Sequence, residues 1–350
     1  MSKADNRKLR LSVLDLANIF PGYSAHETIE NSIRVARTAE KLGYTRYWFA
    51  EHHNAPSLVS TSPALMIARA GSETSSIRLG SGGVMLPNHS PLIVAEDFGV
   101  LEAMFPGRID LGLGRAPGTD QLTALALRLS RERQRAGADE FPQHVSDILN
   151  YYKGGFPEDH PFRGIKAIPE PQLVPEVFIL GSGTGGVQVA MELGLGFAFA
   201  AHINPRGAAP IMQVYRSEYK PGAWQQDPYS ILSLIISVAP TEEEARYRAG
   251  PAMLMWTKLA FGMYGKNVSE EEAADHAYSP EEARIRDSNE PRFVIGTPEQ
   301  VAEKLQRIAA LCEADEIMVM DMLASPEARE QSLTLLAEAM GVEPLEGDRP

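Results

Sequence analysis

The chain has 350 residues, 44% apolar and 23% charged, which is the composition of a water-soluble globular protein able to bury a large core without staples. Its net charge of -13 argues against a nucleic-acid surface, and no run of about 18 apolar residues is present to span a bilayer. A single cysteine, Cys312, excludes an intrachain disulfide, and the polar start of the chain lacks a signal-peptide core, so a cytoplasmic location is expected.

The first strand is expected at Leu11 to Asp15, and Ser24 with Glu27 has capping-box spacing for a helix that Gly43 ends. Tyr47-Trp48-Phe49-Ala50 then reads as a buried strand whose polar end, Glu51-His52-His53-Asn54, faces a cavity. Ser62-Pro63 starts the next helix, Arg78 to Leu86 forms a third strand, Ser90-Pro91 opens another helix, and Ile109 to Gly114 is a fourth strand. Strict strand-helix alternation with short loops implies a parallel sheet.

Beyond Arg115 the rhythm lapses into helices near 120–136 and 143–152 and a Pro/Gly-rich connection, read as an insertion over about 116–175. Strands return at 177–180, 196–200 and 231–238, with helices at 186–193 and 206–219 between them. Residues 241–292 form a second insertion, helical and rich in methionine, acting as a lid. A capped helix over 298–312, an eighth strand at 316–320 and a helix over 326–339 complete a single-domain (β/α)8 TIM barrel with insertions after strands four and seven. A doubly wound sheet with a second domain is the alternative architecture.

Several features carry chemistry. Gly181-Ser182-Gly183-Thr184-Gly185-Gly186 follows a strand and opens a helix, with glycines at G-x-G-x-x-G spacing. It lies mid-chain, and no acid stands about 20 residues on, so the dinucleotide reading is rejected in favour of a phosphate cradle or a plain tight turn. Arg115, at the end of a strand opened by Gly112 and Gly114, can clamp a phosphate bidentately or pair with Asp120. The glycines at 80, 82 and 83 leave room for a bulge or a flat ring. His52, His53, His89 and His202 all fall at strand ends but lack metal-ligand spacing, so no metal site is expected.

Taken together, 48–54, 82–89, 108–115 and the loop from Gly181 resemble the bacterial luciferase-like flavin monooxygenases, nearest the alkanal-monooxygenase-like branch, over Leu11 to about Ala337. The resemblance implies a barrel using reduced FMN and dioxygen on a small apolar substrate such as an aldehyde or ketone, with a separate NAD(P)H flavin reductase and a homodimeric state. It places the flavin ring near Gly82, Gly83 and Val84, the phosphate on Arg115, Ser182, Gly183, Thr184, Gly185 and Gly186, and catalysis on His52 with Glu51 beside it. An F420-dependent oxidoreductase and a non-catalytic flavin-binding protein are the alternatives. Two departures stand out: Gly183 and Gly186 replace hydroxyl residues common in the phosphate loop, and Gly114 stands where the luciferases carry a cysteine.

Overall fold

The structure, a computed structural model, describes residues 9–128, 139–170 and 172–344. Its sheet is a closed ring of parallel strands: β1 (Arg10–Asp15), β2 (Arg46–Phe49), β3 (Arg78–Ser81), β5 (Ile109–Gly114), β6 (Glu176–Gly181), β7 (Gly196–Ala200), β8 (Ser230–Val238) and β10 (Glu316–Met320). Closure comes from β10, which pairs with both β8 and β1. Helices between the strands form the outer layer, so the expected TIM barrel is present.

Local chemistry sets many of the helix ends. Ser24 and Glu27 make a reciprocal capping box for α1 (Ala25–Leu42), and Gly43 ends it at a φ of 86°. Thr297 and Gln300 do the same for α11 (Pro298–Cys312). In the first insertion the structure has α4 (Gln121–Arg128) and α5 (Phe141–Tyr152); the rest of the helix expected over 120–136 lies outside the described residues.

Two expectations need correction. The third strand is not continuous to Leu86: it breaks at Gly82–Gly83 and resumes as β4 (Val84–Met85), both pieces pairing with β5. The second insertion ends in a further strand, β9 (Phe293–Gly296), which pairs with the last four residues of β8. Nine-residue β8 runs past the barrel wall, and its free edge there recruits a segment too short to give a periodic signal.

Side-chain alternation divides the barrel into an outer core and an interior. Odd-numbered Leu11, Val13, Tyr47, Phe49, Leu79 and Leu111 pack under the helices. Inward at the N-terminal end, Arg46 meets Asp110 at 2.9 Å and Glu316 at 3.1 Å, and Trp48 Nε1 donates to Asp110 at 2.9 Å. Burial opposes ionisation of Asp110, but Arg46 and Arg78 outweigh it and hold the carboxyl below its ordinary value. This ionic plug closes the bottom of the barrel. Above it lie Leu14, Trp48, Phe178, Ile231 and Met318.

Further up, the inward positions turn small: Gly114 of β5 and Ala198 of β7, with Ala50 and Gly82 directly after β2 and β3, leave the barrel unfilled at its C-terminal end. That absence of side-chain volume makes the cavity. Among the described residues no helix is long and apolar enough to cross a membrane.

Candidate active site

The cavity has a volume of about 930 Å3 and opens at the C-terminal ends of the strands. Its floor and one wall are apolar, built from Leu14, Met318, Met320 and Met322 of the barrel. Helix α8 (Glu242–Leu259) of the second insertion adds Met255, Trp256 and Leu259, with Met263 and Tyr264 following it. The second insertion therefore packs over the strand ends.

Polar groups enter from the loops. His52 and His53 both line the cavity, because the chain leaves the strand after Phe49 and the alternation that would send them to opposite faces no longer holds. His52 Nδ1 is buried without a hydrogen-bond partner among the described residues. Burial pushes the His52 imidazole below its ordinary value, Glu51 opposing and His53 adding to the effect.

Glu51 does not line the cavity. It stands behind the wall, 1% exposed, where Oε1 accepts from His53 Nε2 at 2.8 Å and His89 Nε2 at 2.9 Å, and Oε2 from the Met85 N–H at 3.0 Å. Burial raises its pKa, yet the hydrogen bond and charge of His89, then His53 and the Met85 N–H, hold the carboxyl below its usual range. Glu51 is thus an ionised anchor for two imidazoles.

On the opposite rim, Arg115 and Ser182, Gly183, Thr184, Gly185 and Gly186 all line the cavity. Gly183 is the N-cap of α6 (Thr184–Leu193) and makes no side-chain cap bond, so the first N–H groups of that helix stay open to a ligand. Arg115 lies over Gly185, where an added Cβ would fall 2.5 Å from Nη1. Among the described residues the guanidinium makes no ion pair; Asp120 instead caps α4 through Leu122 and Thr123. Gly186 permits close helix-strand packing, since a Cβ there would meet Leu180 O at 3.1 Å. An open helix N-terminus beside a free guanidinium fits an anion such as a phosphate.

Near the ring site expected from sequence, Gly82 lines the cavity, while Gly83 and Val84 are buried in its wall. These glycines serve close packing: a Cβ at Gly82 would meet Leu14 at 2.5 Å and one at Gly83 the Gly112 carbonyl at 2.7 Å. Among the described residues no cluster of side chains could hold a metal ion.

A profile of the luciferase-like monooxygenase family matches residues 9–312. The chain belongs to that family. A luciferase-like monooxygenase of Escherichia coli is 38% identical over 331 residues, covering 94% of this chain and 96% of the relative. The N-acetyl-S-alkylcysteine monooxygenase of Bacillus subtilis is 30% identical, covering 95% of this chain and 98% of its own length. Among solved structures, apo-MsnO8 superposes with a TM-score of 0.88 at 32% identity, covering 96% of this chain and all (100%) of that one. The FMN complex of the oxygenating constituent of 3,6-diketocamphane monooxygenase from Pseudomonas putida (TM-score 0.70, 18% identity, 95% and 97% covered) shares the fold. So does an F420-dependent secondary alcohol dehydrogenase (0.67, 15%, 95% and 99%).

Sequence reasoning missed several residues of this luciferase-like cavity. Met318, Met320 and Met322 sit at a period of two and so face one side, which is a signal visible in the chain itself. His202 and Ser233 also line the cavity, and His202 Nδ1 and Ser233 Oγ have no partner among the described residues. Burial pushes the His202 imidazole down to about 4, with His52 and Arg292 adding to the effect against the Ser233 backbone. His202 is one of the four histidines expected at strand ends, whereas no local pattern marks Ser233.

Proposed function

We propose that the chain is an FMN-dependent monooxygenase that uses reduced FMN from a separate reductase and dioxygen to oxidise a small apolar substrate. The observation that carries this reading is the pairing of an anion cradle, Arg115 over Gly185 at the uncapped start of α6, with a methionine-lined cavity of about 930 Å3. Arg115 and the N–H groups of 183–186 would hold the phosphate, and the wall at Gly82 would bound the ring. When bound, FMN would supply the redox chemistry with oxygen. His52, at the end of β2 and with one ring nitrogen unpartnered, would move a proton at the reacting centre, and its depressed pKa keeps it a neutral base near pH 7. Glu51 would orient the neighbouring imidazole. The apolar lid residues Met255 and Trp256 would exclude water and bind the substrate's hydrocarbon part.

The test is direct. Titration with FMN and with F420 should show binding of FMN, reduced or oxidised, in preference to the deazaflavin. Supplying FMN, NADH, a flavin reductase and oxygen should then oxygenate a member of an aldehyde and ketone panel, with His52→Ala losing activity on the order of 100-fold or more. Tight flavin binding with no oxygenation of any panel member would instead favour a flavin-storage protein, and no flavin binding would sink both.

We further propose a homodimer. Leu65 of α2 (Pro63–Gly71) and Ile93, Val100 and Met104 of α3 (Pro91–Met104) are 72%, 55%, 45% and 53% exposed on neighbouring helices, an apolar face that a second copy would cover. Light scattering should return twice the chain mass of 38.3 kDa. A cytoplasmic location agrees with the one buried, unpaired cysteine, Cys312.

A further inference from the structure

Glu51 Oε1 accepts from two imidazoles that lie on different sides of the cavity wall. His53 lines the cavity and its side chain is 18% exposed, while His89, outside the lining, is 35% exposed. Their Nε2 atoms reach the same oxygen at 2.8 and 2.9 Å. The Met85 N–H fixes the other oxygen at 3.0 Å, so the carboxylate cannot turn away from either ring.

We propose that Glu51 couples the protonation of His53 to that of His89, making His89 a relay residue through which a proton leaves the cavity. A proton arriving at His53 Nδ1 forms an N–H bond as the Nε2–H bond breaks toward Glu51 Oε1. The resulting carboxyl turns from acceptor to donor and passes its proton to Nε2 of His89 in molecules where that ring, exposed at Nδ1, stands as the Nδ1–H tautomer instead of the Nε2–H donor of the resting state; the Nδ1–H is then lost to solvent. Each transfer breaks one N–H or O–H bond as the next forms, and no electrons change hands. Uptake runs the same steps in reverse and restores the tautomers.

Other charged groups surround the pair. His52 adjoins His53, Asp97 of α3 interacts with His89, and Glu96 lies beside Asp97. Arg128 of α4 donates to Asn88 next to His89, and Asp120 bonds Asn54 next to His53. Among the described residues none of these bonds the shared oxygen, which receives the two imidazoles. Two cations drawn to one oxygen lie within about 6 Å of each other, close enough to repel even where solvent screens them.

Use of this relay in turnover rests on the monooxygenase reading; the coupling itself does not. The test is an NMR titration of 15N-histidine-labelled protein without cofactor, comparing the parent with His89→Gln and His53→Gln, whose amides still donate to Oε1 but do not ionise. Removing His89 should raise the proton affinity of His53 roughly tenfold, and removing His53 should raise that of His89 by the same factor, as linkage requires. Unmoved titrations in both variants overturn the proposal. In turnover with FMN, reductase and oxygen, His89→Gln should be slowed roughly tenfold and restored by free imidazole in the buffer. Undiminished turnover overturns the relay. Coupling without any flavin binding would support the proposal while sinking the monooxygenase reading.

Discussion

The guanidinium of Arg115 fills the space that a side chain would take at Gly185, with Nη1 and Cζ 2.5 and 2.8 Å from where a Cβ would stand. Gly185→Ala should push the arginine off the helix start and weaken FMN binding about tenfold. Arg115→Met should weaken it roughly 10- to 100-fold, the worth of a charge-assisted hydrogen-bond pair. The displaced group is the far end of a flexible side chain, so the unfolding free energy should change by no more than about 0.5 kcal/mol. Flavin fluorescence titration and urea unfolding measure the two quantities, and unchanged affinity in both variants would remove the phosphate from this cradle.

At the barrel floor, Asp110 is fully buried and bonded to Arg46, Arg78 and Trp48. Asp110→Ala removes one of the two buried counterions of Arg46, Glu316 remaining, and strips Trp48 Nε1 of its acceptor, and should cost about 3 kcal/mol. Because the folded carboxyl lies below its ordinary value, its stabilisation is present at neutral pH and is lost as pH falls through that lowered value. Urea unfolding at several pH values checks this. A loss at neutral pH under about 1 kcal/mol would mean that the plug is structurally idle.

His202 carries a pH signature of the same sign in a higher pH window. Its folded pKa of about 4 lies below the ordinary 6.5, so the unfolded chain binds the extra proton first, and stability is lost as pH falls from 6.5 toward 4. The His202 ring resonances should stay in the neutral form throughout that interval, and His202→Gln should flatten the corresponding slope of stability against pH. A ring titrating near 6.5 would contradict the burial that causes the shift.

Arg292 ties the lid to the barrel: Nη1 donates to the carbonyls of His202 and Ile203, and the guanidinium lies 4.6 Å from the Trp256 ring centroid. Arg292→Ala removes these hydrogen bonds, the Nε bond to Asn289 Oδ1 at 2.9 Å and a cation-π contact, together about 2 kcal/mol of local stability. Hydrogen exchange around 202–205 and 255–259 should accelerate roughly 30-fold, with little change elsewhere. Uniform acceleration would show that the effect is global rather than a loosened lid.

How much of this was legible in the chain depends on the range of the signal. Helix starts were, because Ser24 with Glu27 and Thr297 with Gln300 are decided within three residues by a hydrogen bond to the local backbone. The eight barrel strands were, because their buried runs alternate with capped helices. Strand β9 was not: Phe293–Gly296 is a strand only because the overhanging edge of β8 is there to pair with it.

The site divides the same way. That His52, Arg115 and the 182–186 loop sit at strand ends on one face of a barrel follows from counting strands along the chain. The packed barrel alone reveals that Glu51 is an anchor behind the wall, that Gly82 and Gly83 make room for Leu14 and a neighbouring strand, and that His89, 38 residues away, shares Glu51's oxygen with His53. Such pairings depend on the register between strands and on loop paths, which are fixed by packing across the whole barrel and leave no local periodicity to read.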